Sequence, residues 1–123
     1  MYNQKVMERF LSQKNLGEIR SANAIGASGT ATAGDIIRFY FVIEEGVVVD
    51  AKAKVFGCVA AFAVASLACQ LVQNKSIEQV LDFDINQIDE MLDGIPEEKK
   101  DVLIVAKQAM VETINNYFKK LEK

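Results

Sequence analysis

Cys58 is the residue in this chain with the most chemistry open to it. It follows Val55-Phe56-Gly57 and opens the alanine-rich stretch Val59 to Val72. That puts its thiol at a helix start, where free backbone N–H groups and the helix dipole favour a thiolate. A thiolate so placed suits metal ligation or attack on another sulfur. Yet the chain has no histidine, and its only other cysteine is Cys69. On one helix the two lie eleven residues apart, a separation of about 16 Å along the axis. A disulfide needs Cα atoms within roughly 7 Å, so the two thiols neither bridge nor share a single metal ion. Cys69 falls inside the apolar run and reads as core. Reduced thiols, in a cytoplasmic protein, are the expectation.

Two carboxylates deserve attention beside Cys58. Asp35 follows the small-residue segment Gly26 to Gly34, and Asp101 falls in the first turns of the last helix. By residue type alone, Asp35 satisfies local N–H groups, and Asp101 is a solvated charge favoured by the helix dipole. The glycine segment lacks the Lys-Ser/Thr ending of a phosphate-binding loop. With no histidine base and no identifiable acid/base pair, hydrolase or transferase chemistry finds no support, and the chain does not read as an enzyme. Fourteen basic against seventeen acidic residues give a net charge of −3, the wrong sign for nucleic acid as main partner. The Lys119, Lys120 and Lys123 cluster reads as a complement to the negative end of a helix.

The elements that must hold these groups are legible. At 123 residues, half of them hydrophobic, the chain reads as one domain, 1–123, able to bury a core. Asn3 caps a short helix with Val6, Met7, Phe10 and Leu11 on one face, left through Asn15-Leu16-Gly17. Glu18 to Ile25 is weakly strand-like, and Gly26 to Gly34 reads as a mobile loop. Asp35 to Glu44 alternates with Ile37, Phe39, Phe41 and Ile43 inward. Glu45-Gly46 turns it, and Val47 to Phe56 returns with Asp50, Lys52 and Lys54 on the wet face, an antiparallel hairpin.

Everything after Gly57 reads as helix. Ser76-Ile77-Glu78-Gln79 has the form of a capping box, and Asp84-Ile85-Asn86-Gln87 a similar pattern. Gly94 closes that segment, and Pro96 suits the first turn of a final helix. Val102, Leu103, Ala106, Met110, Ile114, Tyr117, Phe118 and Leu121 form its core stripe. Phe39, Phe41, Phe56 and Phe62 also read as core. Val55 to Val72 is uncharged over nearly a membrane span, but a buried central helix suits its composition better. Met1 to Phe10 is too polar for a signal peptide. The expected class is α+β, with about three antiparallel strands packed by helices. That topology brings the end of the glycine segment, Cys58 and the Gly94 to Val102 segment towards one end of the sheet.

In residue order the chain resembles the iron–sulfur cluster scaffold proteins of the IscU type, including the N-terminal domain of NifU. Tyr2-Asn3-Gln4-Lys5-Val6-Met7 with Asn15-Leu16-Gly17 resembles the family's opening, and Gly34-Asp35-Ile36 the end of its first cysteine motif. Phe56-Gly57-Cys58 with Ala60-Ala61, Ala63 and Ser66 is similar to its second. Gly94-Ile95-Pro96 with Lys99 is similar to a segment read by a dedicated chaperone. Family members hold zinc or a nascent cluster through three cysteines, with an aspartate and often a histidine. Here Ala33 and Val102 stand at the first and third cysteine positions, Asp101 at the histidine position, and Val59 where a glycine follows the second cysteine. Glu97 and Glu98 replace a proline and an aliphatic residue.

The resemblance implies a divergent iron–sulfur cluster assembly scaffold, with Cys58 as sulfur acceptor or cluster ligand. Asp35, and more weakly Asp101, would complete a site for iron, zinc or a cluster on an incomplete ligand set. Pro96 and Lys99 would contact a partner. Implied partners are a cysteine desulfurase and a cluster-acceptor or chaperone protein, with no membrane and no nucleic acid. A homo-oligomer sharing two copies of Cys58 is compatible with this. The alternative is a metal-free binding or regulatory module that keeps the scaffold fold.

Overall fold

The structure, a computed structural model, describes residues 1–30 and 34–122. Helix α1 (Gln4–Ser12) starts where the Asn3 side chain accepts the Val6 N–H at 2.9 Å. Its face is narrower than the spacing predicts: Val6 is buried, Met7 and Phe10 are half-buried, and Leu11 is exposed. Strands β1 (Ala24–Thr30), β2 (Asp35–Glu44) and β3 (Val47–Phe56) form one antiparallel sheet in the order β1-β2-β3. The hairpin therefore has the bounds its alternation predicts. Ile37, Phe39, Phe41 and Ile43 all point into the core. A bulge between Val42 and Ile43 leaves Val49 without a partner, so Val49 and Asp50 both face outward.

Helix α2 (Val59–Val72) and helix α5 (Asp101–Leu121) pack against the sheet, α2 against β3 and α5 against β1 and β2. Helix α2 is buried along most of its length, as a helix apolar all round should be. Short helices α3 (Ile77–Leu81) and α4 (Asn86–Met91) complete the helical layer. The capping box at Ser76 forms in full. At α4 the Asp84 carboxylate accepts the Asn86 N–H at 3.0 Å.

Three expectations change. The first half of the glycine segment is strand β1, displaced from the predicted 18–25, and Ala31, Thr32 and Ala33 lie outside the described residues. The small residues serve close packing: a Cβ on Gly26 would sit 2.5 Å from the Thr113 nitrogen on α5. Pro96 precedes a single 3₁₀ turn (Glu97–Lys99), closed by Lys99 N–H to Pro96 O and Lys100 N–H to Glu97 O, so α5 begins only at Asp101. Phe56, Phe118 and Leu121 are exposed. Phe56 pairs with Ile36 one alternation from the Arg38–Lys54 pair, which places it on the outer face. The α5 stripe stops burying side chains at Ile114. Among the described residues, no helix is long and apolar enough to cross a membrane.

Candidate functional site

Strand β3 delivers Cys58 through Gly57, whose φ of +153° lies in a region that favours glycine. Space also demands glycine. A side chain there would strike the Asp35 carboxylate and come within 3.0 Å of the Gly34 oxygen. That opening lets Asp35 Oδ1 accept the Cys58 backbone N–H at 3.0 Å. Cys58 is the N-cap of α2, with φ −80° and ψ 169°, and its own side chain makes no capping hydrogen bond. Its carbonyl accepts the Ala61 and Phe62 N–H groups at 3.0 and 3.3 Å. The backbone is thus fixed from both sides while the half-buried thiol stays uncommitted to the helix.

Tyr2 joins this site, which its sequence position did not reveal. Burial, followed by the charge and hydrogen bonding of the neighbouring Cys58 thiol, raises the Tyr2 phenol above its ordinary pKa. The Lys99 ammonium and the Ala60 N–H pull in the opposite direction. Tyr2 is therefore a neighbour of Cys58, with the Lys99 charge acting on the same phenol. The signal available in the sequence was Tyr2's place in the opening motif, read there only as a family resemblance.

The remaining predicted residues scatter. Asp101 is exposed at the start of α5, and Val102 beside it is fully buried in the core. Among the described residues, no three His, Cys, Asp or Glu side chains come together closely enough to hold one metal ion. The expected trio of Cys58, Asp35 and Asp101 accordingly does not assemble; only Cys58 and Asp35 meet. Ala33 lies outside the described residues. Pro96 and Lys99 are half-buried, while Glu97 and Glu98 between them are exposed. Zinc and cluster iron want four ligands, preferably several thiolates. One thiolate and a carboxylate already holding a backbone N–H do not fit such a group within one protomer.

Cys69, in contrast, is wholly buried, and burial pushes its thiol far above the ordinary value against a weaker opposing pull from Arg9. It is a core residue, as its place in the apolar run predicts. On the outer sheet face near Cys58, Ile36, Arg38, Tyr40, Lys54, Val55 and Phe56 line an open hollow of about 420 Å³.

The sequence matches the family model described as NifU-like N terminal domain over residues 1–123. It is 32% identical to the iron–sulfur cluster assembly scaffold protein IscU 1 of Archaeoglobus fulgidus, a match covering 98% of this chain and 78% of that protein. It is also 32% identical to the IscU scaffold of Aquifex aeolicus, over 97% of this chain and 77% of that one. The fold matches a crystal structure from Fervidobacterium islandicum, described as a putative iron–sulfur cluster assembly scaffold protein for the SUF system. That superposition has a TM-score of 0.73 at 18% identity, covering 92% of this chain and 96% of the other. A family model spanning the whole chain, together with relatives this similar over nearly all of it, means that the chain belongs to the IscU/NifU-like family of iron–sulfur cluster assembly scaffolds.

Proposed function

We propose that this chain serves iron–sulfur cluster assembly as a sulfur acceptor, with Cys58 taking a persulfide sulfur from a donor protein. The observation that carries the reading is the half-buried, uncapped Cys58 thiol on a backbone anchored by Asp35. One thiolate is a poor cage for a cluster but is sufficient for sulfur transfer. The anionic Cys58 sulfur attacks the outer sulfur of a donor persulfide, R–S–SH. The donor's S–S bond breaks as a new one forms on Cys58, and the donor leaves as a thiolate. The outer sulfur keeps its proton, and no external oxidant or reductant is required. A cysteine desulfurase is the donor that family membership suggests, and the setting would be cytoplasmic. The chain itself binds and passes sulfur without turnover chemistry, and Asp101 has no part in the step. Pro96 and Lys99 belong to this proposal as contacts for the donor or the next acceptor.

The test is anaerobic incubation with glutathione persulfide, or with a cysteine desulfurase and cysteine, followed by mass spectrometry of the Cys58 peptide. One added sulfur atom is expected on the native chain and on Cys69→Ser, and none on Cys58→Ser. An unmodified Cys58 peptide would refute the acceptor role.

The buried Val102 and the absence of a three-ligand group among the described residues favour a second reading, a metal-free docking module. The exposed Phe56 and its hollow on the outer sheet face would then contact the partner. This reading requires Cys58→Ser to bind the desulfurase as tightly as the native chain, with no sulfur taken up by either.

A further inference from the structure

One face of the sheet is packed by helices, and the other sets two like charges side by side. Arg38 on β2 and Lys54 on β3 stand directly opposite each other, and like charges so placed repel. The chain relieves one of them with a carboxylate of its own. Glu18 Oε2 accepts from Lys54 Nζ at 2.6 Å. It is brought there by the segment that leaves the β3 edge at Gly17, whose N–H donates to Ala53 O. Exposed Arg38 has no ion-pair partner among the described residues. The neighbouring pair on this face, Ile36 with Phe56, is apolar, and Phe56 is 62% exposed. In the other direction Tyr40, paired with Lys52, is buried. The open part of the face is therefore its corner at Ile36, Arg38, Lys54 and Phe56, around the hollow of about 420 Å³.

We propose that this corner binds an acidic segment of a partner protein, a carboxylate meeting the Arg38 guanidinium and an apolar side chain meeting Phe56. Glu18 shows the chemistry, because a carboxylate already rests on half of the charge pair. The planar donor fork of Arg38 suits the same group and can hold it in bidentate geometry. Arginine beside an exposed aromatic ring is also the pairing that protein interfaces concentrate. A second copy of this chain, docked face to face, would bring the like charges together. Nucleic acid needs a broader basic surface than one such pair on a chain of net charge −3. That net charge makes the attraction local, acting within the screening length of about 8 Å in physiological salt. Phe56 precedes Cys58 by two residues, so a bound segment lies at the end of the sheet that carries the thiol. Glu18 competes with it for Lys54 from within the chain. This contact rests on the docking reading above for the presence of a partner on this face, and it supplies that partner's chemistry.

The experiment follows the backbone amides of the full chain by NMR during titration with a short peptide of aspartate and glutamate around one leucine. A counterpart with asparagine and glutamine in place of the acids is the control. The acidic peptide should shift the amides around Ile36, Arg38, Lys54 and Phe56, and the control should bind at least about tenfold more weakly. Arg38→Gln and Phe56→Ser should each weaken the acidic peptide by about tenfold. Glu18→Gln should instead tighten it by about threefold, because it releases Lys54 from an exposed ion pair. All three side chains are exposed, and the remaining amides report that each variant is folded. Equal binding of the two peptides, shifts confined to another surface, or weaker binding by Glu18→Gln would overturn the proposal. So would retention on phosphatidylserine vesicles that Arg38→Gln abolishes, without peptide binding, which assigns the corner to a lipid surface. A dimer in sedimentation that Phe56→Ser dissolves would assign it to a second copy, with the same consequence. Sulfur uptake by Cys58 would sink the metal-free docking reading while leaving the acidic contact standing. Loss of discrimination between the peptides would sink the contact alone.

Discussion

Cys58 and Cys69 belong to the same helix and the same residue type, yet the structure gives them opposite surroundings. Cys58 is the N-cap of α2, half-buried and with its thiol free of capping duty. Cys69 stands in the third turn beyond it, wholly enclosed by the core. Position along the helix accounts for the difference. The first turn leaves N–H groups without intrahelical partners, and here Asp35 reaches across from β2 to take the Cys58 N–H. The interior of α2 has no such vacancy, and its side chains are sealed between the sheet and α1, α4 and α5. A thiol count alone would treat the two residues alike; the burial of the helix separates a half-buried thiol from an enclosed one.

The sharpest way to break that contrast is to label both thiols in the native chain. Iodoacetamide should modify Cys58 directly, whereas Cys69 must wait for the structure to open. With a stability in the usual range for a single domain, that requirement slows Cys69 by roughly a thousandfold or more. Time-resolved peptide mass spectrometry reads the two rates in one sample. Labelling of Cys69 in step with Cys58 would mean that α2 is not the sealed element its burial indicates.

What the sequence made legible, and what it hid, follows the same division between local and distant causes. The β2–β3 hairpin and the start of α2 could be read because alternation, the Glu45-Gly46 turn and Gly57 are local signals. Strand β1 could not. Gly26, Ala27 and Gly29 show no apolar alternation, since what selects Gly26 is the backbone of α5 more than eighty residues away. The meeting of Tyr2 with Cys58, and of Asn3 with Gly94, is likewise a product of chain reversal that no spacing encodes. Asp35 beside Cys58 was anticipated from the hairpin topology and from family resemblance. That its carboxylate holds the backbone N–H of Cys58 emerged only from the geometry. Asp101 was a weaker candidate, named for its place at the family's histidine position, and its helix position leaves it exposed at the start of α5.

A smaller effect sharpens the buried half of the comparison. Burial holds the Cys69 thiol protonated well beyond the ordinary thiol range. In the unfolded chain the same thiol ionises near pH 9, so above that pH the unfolded state binds fewer protons than the folded one. Stability should therefore be unaffected by Cys69 below about pH 8 and fall by about 1.4 kcal/mol per pH unit once the unfolded thiol is ionised. Lys107, whose ammonium is lowered by burial, contributes a slope of the opposite sign. The measurement is accordingly the difference between urea melts of the native chain and of Cys69→Ala across pH 8 to 10. A parallel pH profile for the two proteins would show that Cys69 is already solvated when folded.

The smallest effect tests the open half. Asp35→Ala removes the acceptor of the Cys58 N–H, whereas Asp35→Asn can retain it through the amide oxygen. The loss resembles deletion of a helix cap and should cost about 1 kcal/mol in Ala, with only a few tenths in Asn. Its location is more informative than its size. Amide exchange at Cys58 should accelerate in Asp35→Ala and recover in Asp35→Asn, while the Cys69 amide, bonded within the sealed interior of α2, keeps its native rate. That outcome requires the first turn of α2 to open separately from the rest, as low-stability local segments do. Equal acceleration at Cys58 and Cys69 would instead make α2 one cooperative unit. Asp35 would then be a general support of the fold, and the freedom of the Cys58 thiol would no longer be a local property of the helix start.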